Sequence, residues 1–407
     1  MDKLQLIFFF VSGFLISRLI IKSRLPHRMV FVLIGKRHLS VVRIILYLVA
    51  ISAFLSFFIP NAITVLTLLP VLELLRQSYE KSRIPAGSMP TMLALSTIYG
   101  ANIGGMGSIT ATPANGILVT YAELNQVAGR EFLNFAAWLG WGIPLVAIFV
   151  IAAWLTIISI FRPWRYRSGK IQLPFDEAAA THPLQRITLI LTGLFFVSSL
   201  LLSMLILQYP AHTLAIVAVT AGFTLLFVLF LFFFPLNLGA VKAPLLRLQD
   251  CYNELPTRGF VFVGIAVVLA GLLYLLSADV YFARLINQLL PGHLPVLAMF
   301  LLIALLSSFS TEILSNTAVQ ISMFLIVLPL SATMEFSAIQ ALIIVTLSST
   351  CAFMSPIATG VNGLAFGGVK DVSLARMLVV GLVMNTVGAL IISVWAEWVI
   401  GWVFQVK

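Results

Sequence analysis

Ser310-Thr311-Glu312-Ile313-Leu314-Ser315-Asn316-Thr317-Ala318 is a run rich in polar side chains inside an otherwise apolar segment from Leu294 to Leu330, and its reading decides the fold. Polar groups in hydrocarbon are expensive and persist there when they have work to do. A second polar interruption, Ser355-Pro356-Ile357-Ala358-Thr359-Gly360-Val361-Asn362-Gly363, breaks the next apolar segment. A near copy, Ala111-Thr112-Pro113-Ala114-Asn115-Gly116, occurs in the first half, so Ala-Thr-x-x-Asn-Gly appears twice, 247 residues apart. That recurrence suggests an internal duplication.

Apolar residues make up 61% of the 407, charged residues 9%, and mean hydropathy is +1.09. These values exclude a soluble domain and describe a polytopic helical membrane protein, with the lipid bilayer as its surroundings. The two cysteines, Cys251 and Cys351, form no disulfide or metal spacing, and the five histidines are scattered near loops. A net charge of +10 would suit nucleic acid in a soluble protein. Here the basic residues sit in short loops between apolar runs, where they orient the chain, so no nucleic-acid partner is expected. The first apolar segment lacks a small-residue cleavage site before Arg18 and reads as a retained span.

In chain order, Leu4 to Ile21 is a span, and Met29 to Ile34, within the basic segment Lys22 to Arg43, fits an amphipathic helix along the interface. Ile44 to Leu75 has Pro60-Asn61 at its centre and can form two full spans or two arms of a re-entrant hairpin. Thr91 to Tyr121 would be about 46 Å as a continuous helix, against roughly 30 Å of hydrocarbon. Its middle, Gly100 to Ser108 followed by Ala-Thr-Pro, is poor in helix formers, so an unwound centre between two half-helices is expected. Phe135 to Phe161, Ile187 to Leu207 and Thr213 to Phe234 are plain spans, with charged loops at Arg162 to Arg186 and Leu236 to Arg258.

The second half repeats that order. Gly259 to Leu276 reads as a span, Val280 to Leu290 as an interfacial helix, Leu294 to Leu330 as a hairpin, Ala338 to Phe366 as a broken span and Met377 to Phe404 as the closing span. The expected fold is therefore all-α: a first repeat at 1–161, two linking spans with cytoplasmic loops at 162–258, and a second, inverted repeat at 259–407. In total, eight spans and two hairpins fit. Assigning loops to alternate sides puts every Lys and Arg on one face except Lys3, Arg130, Arg284 and Lys407. By the positive-inside rule that basic face is cytoplasmic, in a bacterial-type inner membrane.

Inverted hairpins beside broken helices suit a secondary transporter. Half-helix N-termini offer unpaired N–H groups to an anion, and freed carbonyls with side-chain oxygens replace the water shell of a cation. No pairing of nucleophile with base appears in the membrane segments, so an enzyme is not expected. Glu312 is the ionisable residue deepest in an apolar segment. It must be paired, protonated or beside water. A proton-coupling role and a structural hydrogen bond across the hairpin base are both open.

Thr311-Glu312-x-x-Ser315-Asn316-Thr317-Ala318 with Ala358-Thr359-x-x-Asn362 resembles the second Ser-Asn-Thr hairpin and partner loop of the divalent anion/sodium symporter family of the ion transporter superfamily. Ile103-Gly104-Gly105-Met106-Gly107 with Ala111-Thr112-Pro113-x-Asn115 resembles its first partner loop, and the likeness runs from about Arg24 to Glu397. The resemblance implies an elevator-type homodimer that takes a small anion with sodium ions, protons being the other possible coupling ion. It implies sodium contacts at Pro60, Asn61, Gly104, Gly105 and Thr110 around the first tip, and at Ser315, Asn316 and Ala358 around the second. It implies substrate contacts at Asn61, Thr112, Pro113, Asn115, Ser315, Asn316, Thr317, Thr359 and Asn362.

The chain departs from the family in having a single span before the interfacial segment and in a first tip that reads Pro60-Asn61-Ala62. A tip with one amide and no proline N–H predicts weak binding of four-carbon dicarboxylates unless Thr64, Thr110 or Thr112 adds a hydroxyl. A cation/proton antiporter or an inorganic-anion efflux carrier would share the scaffold. A channel is disfavoured, since broken helices in inverted repeats fit alternating access.

Overall fold

A computed structural model of the chain describes residues 2–34, 40–80, 88–165, 183–237, 242–252, 294–334 and 336–404. The span expected at 259–276 and the interfacial helix expected at 280–290 lie outside these residues. The first half runs α1 (Asp2–Lys22), α2 (Leu25–Ile34), α3 (Val41–Ser56), α4 (Asn61–Glu80), α5 (Ser88–Gly104), α6 (Pro113–Leu124) and α7 (Phe135–Phe161). Next come α8 (Pro183–Gln208) and α9 (Thr213–Phe233), and then, within the charged loop, a strand pair, Pro235–Asn237 with Lys242–Pro244, and the short α10 (Leu248–Tyr252). The described second half comprises α11 (Val296–Ser310), α12 (Asn316–Thr333), α13 (Ala338–Thr350), α14 (Gly360–Gly368) and α15 (Leu374–Trp395), the last continuing through a π turn at Ala396–Ile400.

The helix ends follow local chemistry. Asn134 caps α7 by accepting the Ala137 N–H at 2.9 Å, and Ser315 caps α12 by accepting that of Ala318 at 3.2 Å. Pro113 opens α6 at its first turn, where a missing N–H costs nothing. Six described helices are long and apolar enough to cross a membrane: Leu4–Lys22, Phe135–Phe161, Pro183–Gln208, Pro210–Phe233, Asn316–Thr333 and Leu374–Val403. Asn316–Thr333, expected as a hairpin arm, is among them at 18 residues.

The helices that end at the two breaks form the centre. Every residue of α5 is buried, and α13 is buried from Ile339 to Thr350, so neither shows an amphipathic stripe. α5 lies directly on α3, because a Cβ on Gly100 or Gly104 would overlap the carbonyl of Val49 or Ala53. Two small residues one turn apart let the backbones touch, the usual solution where apolar packing gives helices in lipid little reason to associate. At the edge, α1 meets α9 through Gln5 and Thr220, and Lys22 pairs with Asp250 of α10 at 2.7 Å.

Candidate functional site

Among the described residues the chain leaves helical geometry at 105–112 between α5 and α6 and at 351–359 between α13 and α14. Each break is closed by one asparagine. Asn115 Nδ2 donates to the carbonyls of Gly105 (3.0 Å) and Ser108 (2.8 Å), ten and seven residues back. Asn362 Nδ2 donates to Ala352 (2.8 Å) and Ser355 (2.8 Å), again ten and seven residues back. Unwinding strands backbone polar groups in a buried place, and a side-chain amide recovers two of them at once.

A tip faces each break. At the first, Asn61 begins α4 and its amide sits against Gly105, where an added Cβ would lie 3.3 Å from both amide heteroatoms and 2.6 Å from Thr112 Cγ2. Gly105 is therefore glycine because Asn61 and Thr112 converge over it. Asn61 Oδ1, Thr112 Oγ1 and Asn115 Oδ1 are all buried with no hydrogen-bond partner among the described residues. Three orphaned oxygens on side chains that meet Gly105 suit a hard cation, which takes oxygen ligands and tolerates neutral ones.

Of the other residues expected at this tip, Gly104 is occupied in packing on Ala53, and Pro60 is exposed, its carbonyl accepting from Ile63 and Thr64. Thr110 pairs with Ser108 at 3.2 Å and lies against Gly13 of α1. Pro113 is exposed at the first turn of α6.

The second tip is satisfied from within. Asn316 Oδ1 accepts from Thr311 Oγ1, which also reaches the Ser349 carbonyl at 3.1 Å. Thr359 caps α14, accepting from Asn362 N–H at 3.1 Å and donating to Asn362 Oδ1 at 3.0 Å. Thr112, in the corresponding place, makes no such cap. Ser315 spends its hydroxyl oxygen on the α12 cap, Thr317 is half-buried on the first turn of α12, and Ala358 is buried just before the Thr359 cap. Glu312, 3% exposed, accepts from the N–H groups of Met354 (2.9 Å) and Ser355 (2.6 Å) and from Asn385 Nδ2 (2.7 Å).

The two breaks are tied together. Asn102 of α5 donates to the Ala352 carbonyl at 3.1 Å and to Asn362 Oδ1 at 3.4 Å. Gln320 of α12 donates to the Ala114 carbonyl at 2.8 Å, which brings the N-terminal turns of α12 and α6 together. Helix N-termini carry partial positive charge, so α4, α6, α12 and α14 all begin at these tips and breaks with the polarity an anion favours. Asn102, Gln320 and Asn385 were not among the residues expected from sequence. Their signal was an amide inside an apolar segment, the same kind that drew attention to Asn316.

The citrate transporter family model matches residues 3–328. Sodium-dependent high-affinity dicarboxylate transporter 3 of Caenorhabditis elegans is 27% identical, covering 94% of this chain and 74% of that protein. Na(+)/dicarboxylate cotransporter 3 of Rattus norvegicus is 26% identical over 74% of this chain and 56% of its own length. The sodium-dependent dicarboxylate transporter SdcS of Staphylococcus saprophyticus is 24% identical over 95% and 75%. In three dimensions the chain is similar to the crystal structure of the Alcanivorax borkumensis YdaH transporter, at a TM-score of 0.51 and 12% identity over 96% of this chain and 85% of that one, a likeness of fold. These matches agree with the divalent anion/sodium symporter resemblance carried by Thr311 to Ala318 and Ala358 to Asn362.

Proposed function

The chain belongs to the citrate transporter family, and from that membership we propose that it is a sodium-coupled symporter of a small di- or tricarboxylate. It is an integral membrane transporter and not an enzyme. The observation that carries the sodium reading is the set of three buried oxygens without a donor, Asn61 Oδ1, Thr112 Oγ1 and Asn115 Oδ1. A buried acceptor left unpaired costs about 1–3 kcal/mol, and a cation bound among three of them would recover that cost at each. The first sodium belongs there and the second beside Asn316, the Ala358-Thr359 loop and Ser315.

The carboxylate substrate sits between the tips, served by the N-terminal turns of the half-helices and by Thr317 and the Asn316 amide nitrogen, with Asn115 reaching it through the first sodium. Sodium supplies positive charge at a site to which the named residues contribute no Lys or Arg. The dicarboxylate activity in the relatives' names supports this substrate class. So does Thr112, a side chain that meets Asn61 over Gly105 and whose hydroxyl, unpartnered among the described residues, can add the group that the tip Pro60-Asn61-Ala62 lacks.

Two inverted repeats, eight crossings with two hairpins, an elevator-type movement, a homodimer and basic loops on the cytoplasmic side of an inner membrane complete the reading. The matching amide clasps at Asn115 and Asn362 support the repeats. The test is uptake into proteoliposomes of succinate, citrate, sulfate and phosphate, with and without an inward sodium gradient. Sodium-driven uptake of a carboxylate supports the proposal. Uptake of inorganic anions alone, or none that follows the sodium gradient, overturns it.

A further inference from the structure

The two breaks are closed alike but braced differently. In the second, three successive backbone N–H groups are held by side chains from elsewhere: Phe353 by Asn385 Oδ1 at 3.2 Å, and Met354 and Ser355 by the two carboxylate oxygens of Glu312. Asn385 Nδ2 closes the set by donating to Glu312 Oε1. In the first break the corresponding positions are apolar or neutral. Trp138 follows Asn115 by the same 23 residues that separate Asn385 from Asn362, and its indole N–H donates to the Met106 carbonyl at 2.9 Å. Phe57, four residues before Asn61 as Glu312 is four before Asn316, lays its ring against Gly107, where a Cβ would overlap it.

We infer that Glu312 and Asn385 form a fixed anionic brace that positions the second break, and that Glu312 is a positioning residue and not a proton carrier. A proton carrier must exchange its proton with water or substrate, whereas Glu312 is buried and each of these contacts donates to it. Donors on all sides suit a carboxylate, and a protonated acid would need an acceptor that none of these contacts supplies. The brace holds the peptide groups between α13 and Thr359 in one arrangement, and with them the second tip, whose Asn316 amide oxygen is engaged by Thr311 where that of Asn61 is unpartnered among the described residues. Its consequence for transport rests on the sodium-site reading given above, but the brace itself is testable without transport.

Cys351 supplies the readout, because it is fully buried at the start of the break, its carbonyl held by Ser308 at 3.0 Å. With Cys251→Ser it becomes the sole thiol. In proteoliposomes, N-ethylmaleimide should label Cys351 slowly in that background and roughly tenfold faster or more in Asn385→Ala and Glu312→Gln, each of which removes hydrogen bonds to the break. Trp138→Phe, which loosens only the first break, should leave Cys351 at its original rate. Should Asn385→Ala not fold, Asn385→Ser removes the same amide and answers the same question. In sodium titrations of uptake, Asn385→Ala should need more sodium for half-activation with an unchanged pH profile. Original labelling rates in both brace variants, or equal acceleration in Trp138→Phe, would overturn the brace. So would a Glu312→Gln protein that loses the pH dependence of transport while Cys351 stays protected. If the unaltered protein shows no sodium-dependent uptake, the proposed function fails and labelling alone decides the brace.

Discussion

Asn115 and Asn362 make the same pair of hydrogen bonds, each amide nitrogen reaching the carbonyls ten and seven residues before it. They differ in the amide oxygen: that of Asn362 is engaged by Thr359 and Asn102, and that of Asn115 is buried with no partner among the described residues. The nitrogen is thus structural in both breaks, and the oxygen is free for a ligand in the first. Asn115→Asp keeps an oxygen but loses the donor, so the Gly105 carbonyl loses this bond and the Ser108 carbonyl is left with the Ala111 N–H. We expect Asn115→Asp to lower thermal stability by about 2 kcal/mol or more, from two lost hydrogen bonds and a buried charge. Asn362→Asp should do the same. Melting of the purified proteins in detergent checks this, and a variant as stable as the original would contradict the clasp.

Close backbone contact makes Gly104 a packing residue, and the effect is measurable apart from transport. Gly104→Ala pushes a methyl into the Ala53 carbonyl, so we expect a loss of about 1–3 kcal/mol, typical of overpacking. Gly222 in α9 has no heavy atom of the described residues within 4 Å of its would-be Cβ. Gly222→Ala should be neutral or stabilising by up to about 1 kcal/mol, since alanine is the better helix former. Equal melting temperatures for the two variants would refute the close approach of α5 to α3.

Cys251 reports topology and carries a pH signature. Burial pushes its thiol above the usual value of 9.0, Arg18 partly opposing and Asp250 adding to the rise. The thiolate is the reactive form, and a raised value means that less of it is present at neutral pH. On the proposed cytoplasmic placement of the basic loops, an impermeant maleimide should leave Cys251 unlabelled in right-side-out cells. In inverted vesicles it should label slowly, with a rate still climbing above pH 9. Labelling from outside would reverse the assignment of the basic loops to the cytoplasm.

Much of the fold was legible because the signals that set helix ends are local. The span expected at Phe135 to Phe161 has those bounds in the structure, between the Asn134 cap and the turn at Arg162. The first break sits among Gly105, Gly107 and Pro113, where local propensity opposes a helix. Partnerships across the molecule were not legible, because no local pattern pairs Glu312 with Asn385 or Asn102 with Ala352. The fate of a hydroxyl was equally hidden. Thr112 and Thr359 occupy the same motif position, yet only Thr359 turns its oxygen back to cap its own helix. That difference rests on a side-chain rotation, which sequence does not encode. The expected weakness toward four-carbon dicarboxylates was conditional on Thr64, Thr110 or Thr112 supplying a hydroxyl, and which of them is disengaged was likewise hidden from sequence.

Thr112 also gives the sharpest test of the first site. Of the three hydroxyls that could complete the tip, Thr64 is engaged with Ser56 at 2.9 Å and Thr110 with Ser108, whereas Thr112 is free and shares Gly105 with Asn61. Thr112→Val keeps the shape and removes the oxygen. If Thr112 Oγ1 is a sodium ligand, half-activation by sodium should rise about tenfold, as the loss of one buried polar contact implies, while maximal uptake at saturating sodium is largely retained. Thr112→Ser should restore the original value. Pro60→Ser with Ala62→Thr should add little for succinate, because Thr112 already supplies the hydroxyl. Sodium titrations of succinate or citrate uptake in proteoliposomes decide between the outcomes. An unchanged sodium response in Thr112→Val, together with a large gain in the tip variant, would show that the first tip takes its donors from the hairpin, and that Thr112 is no part of the site.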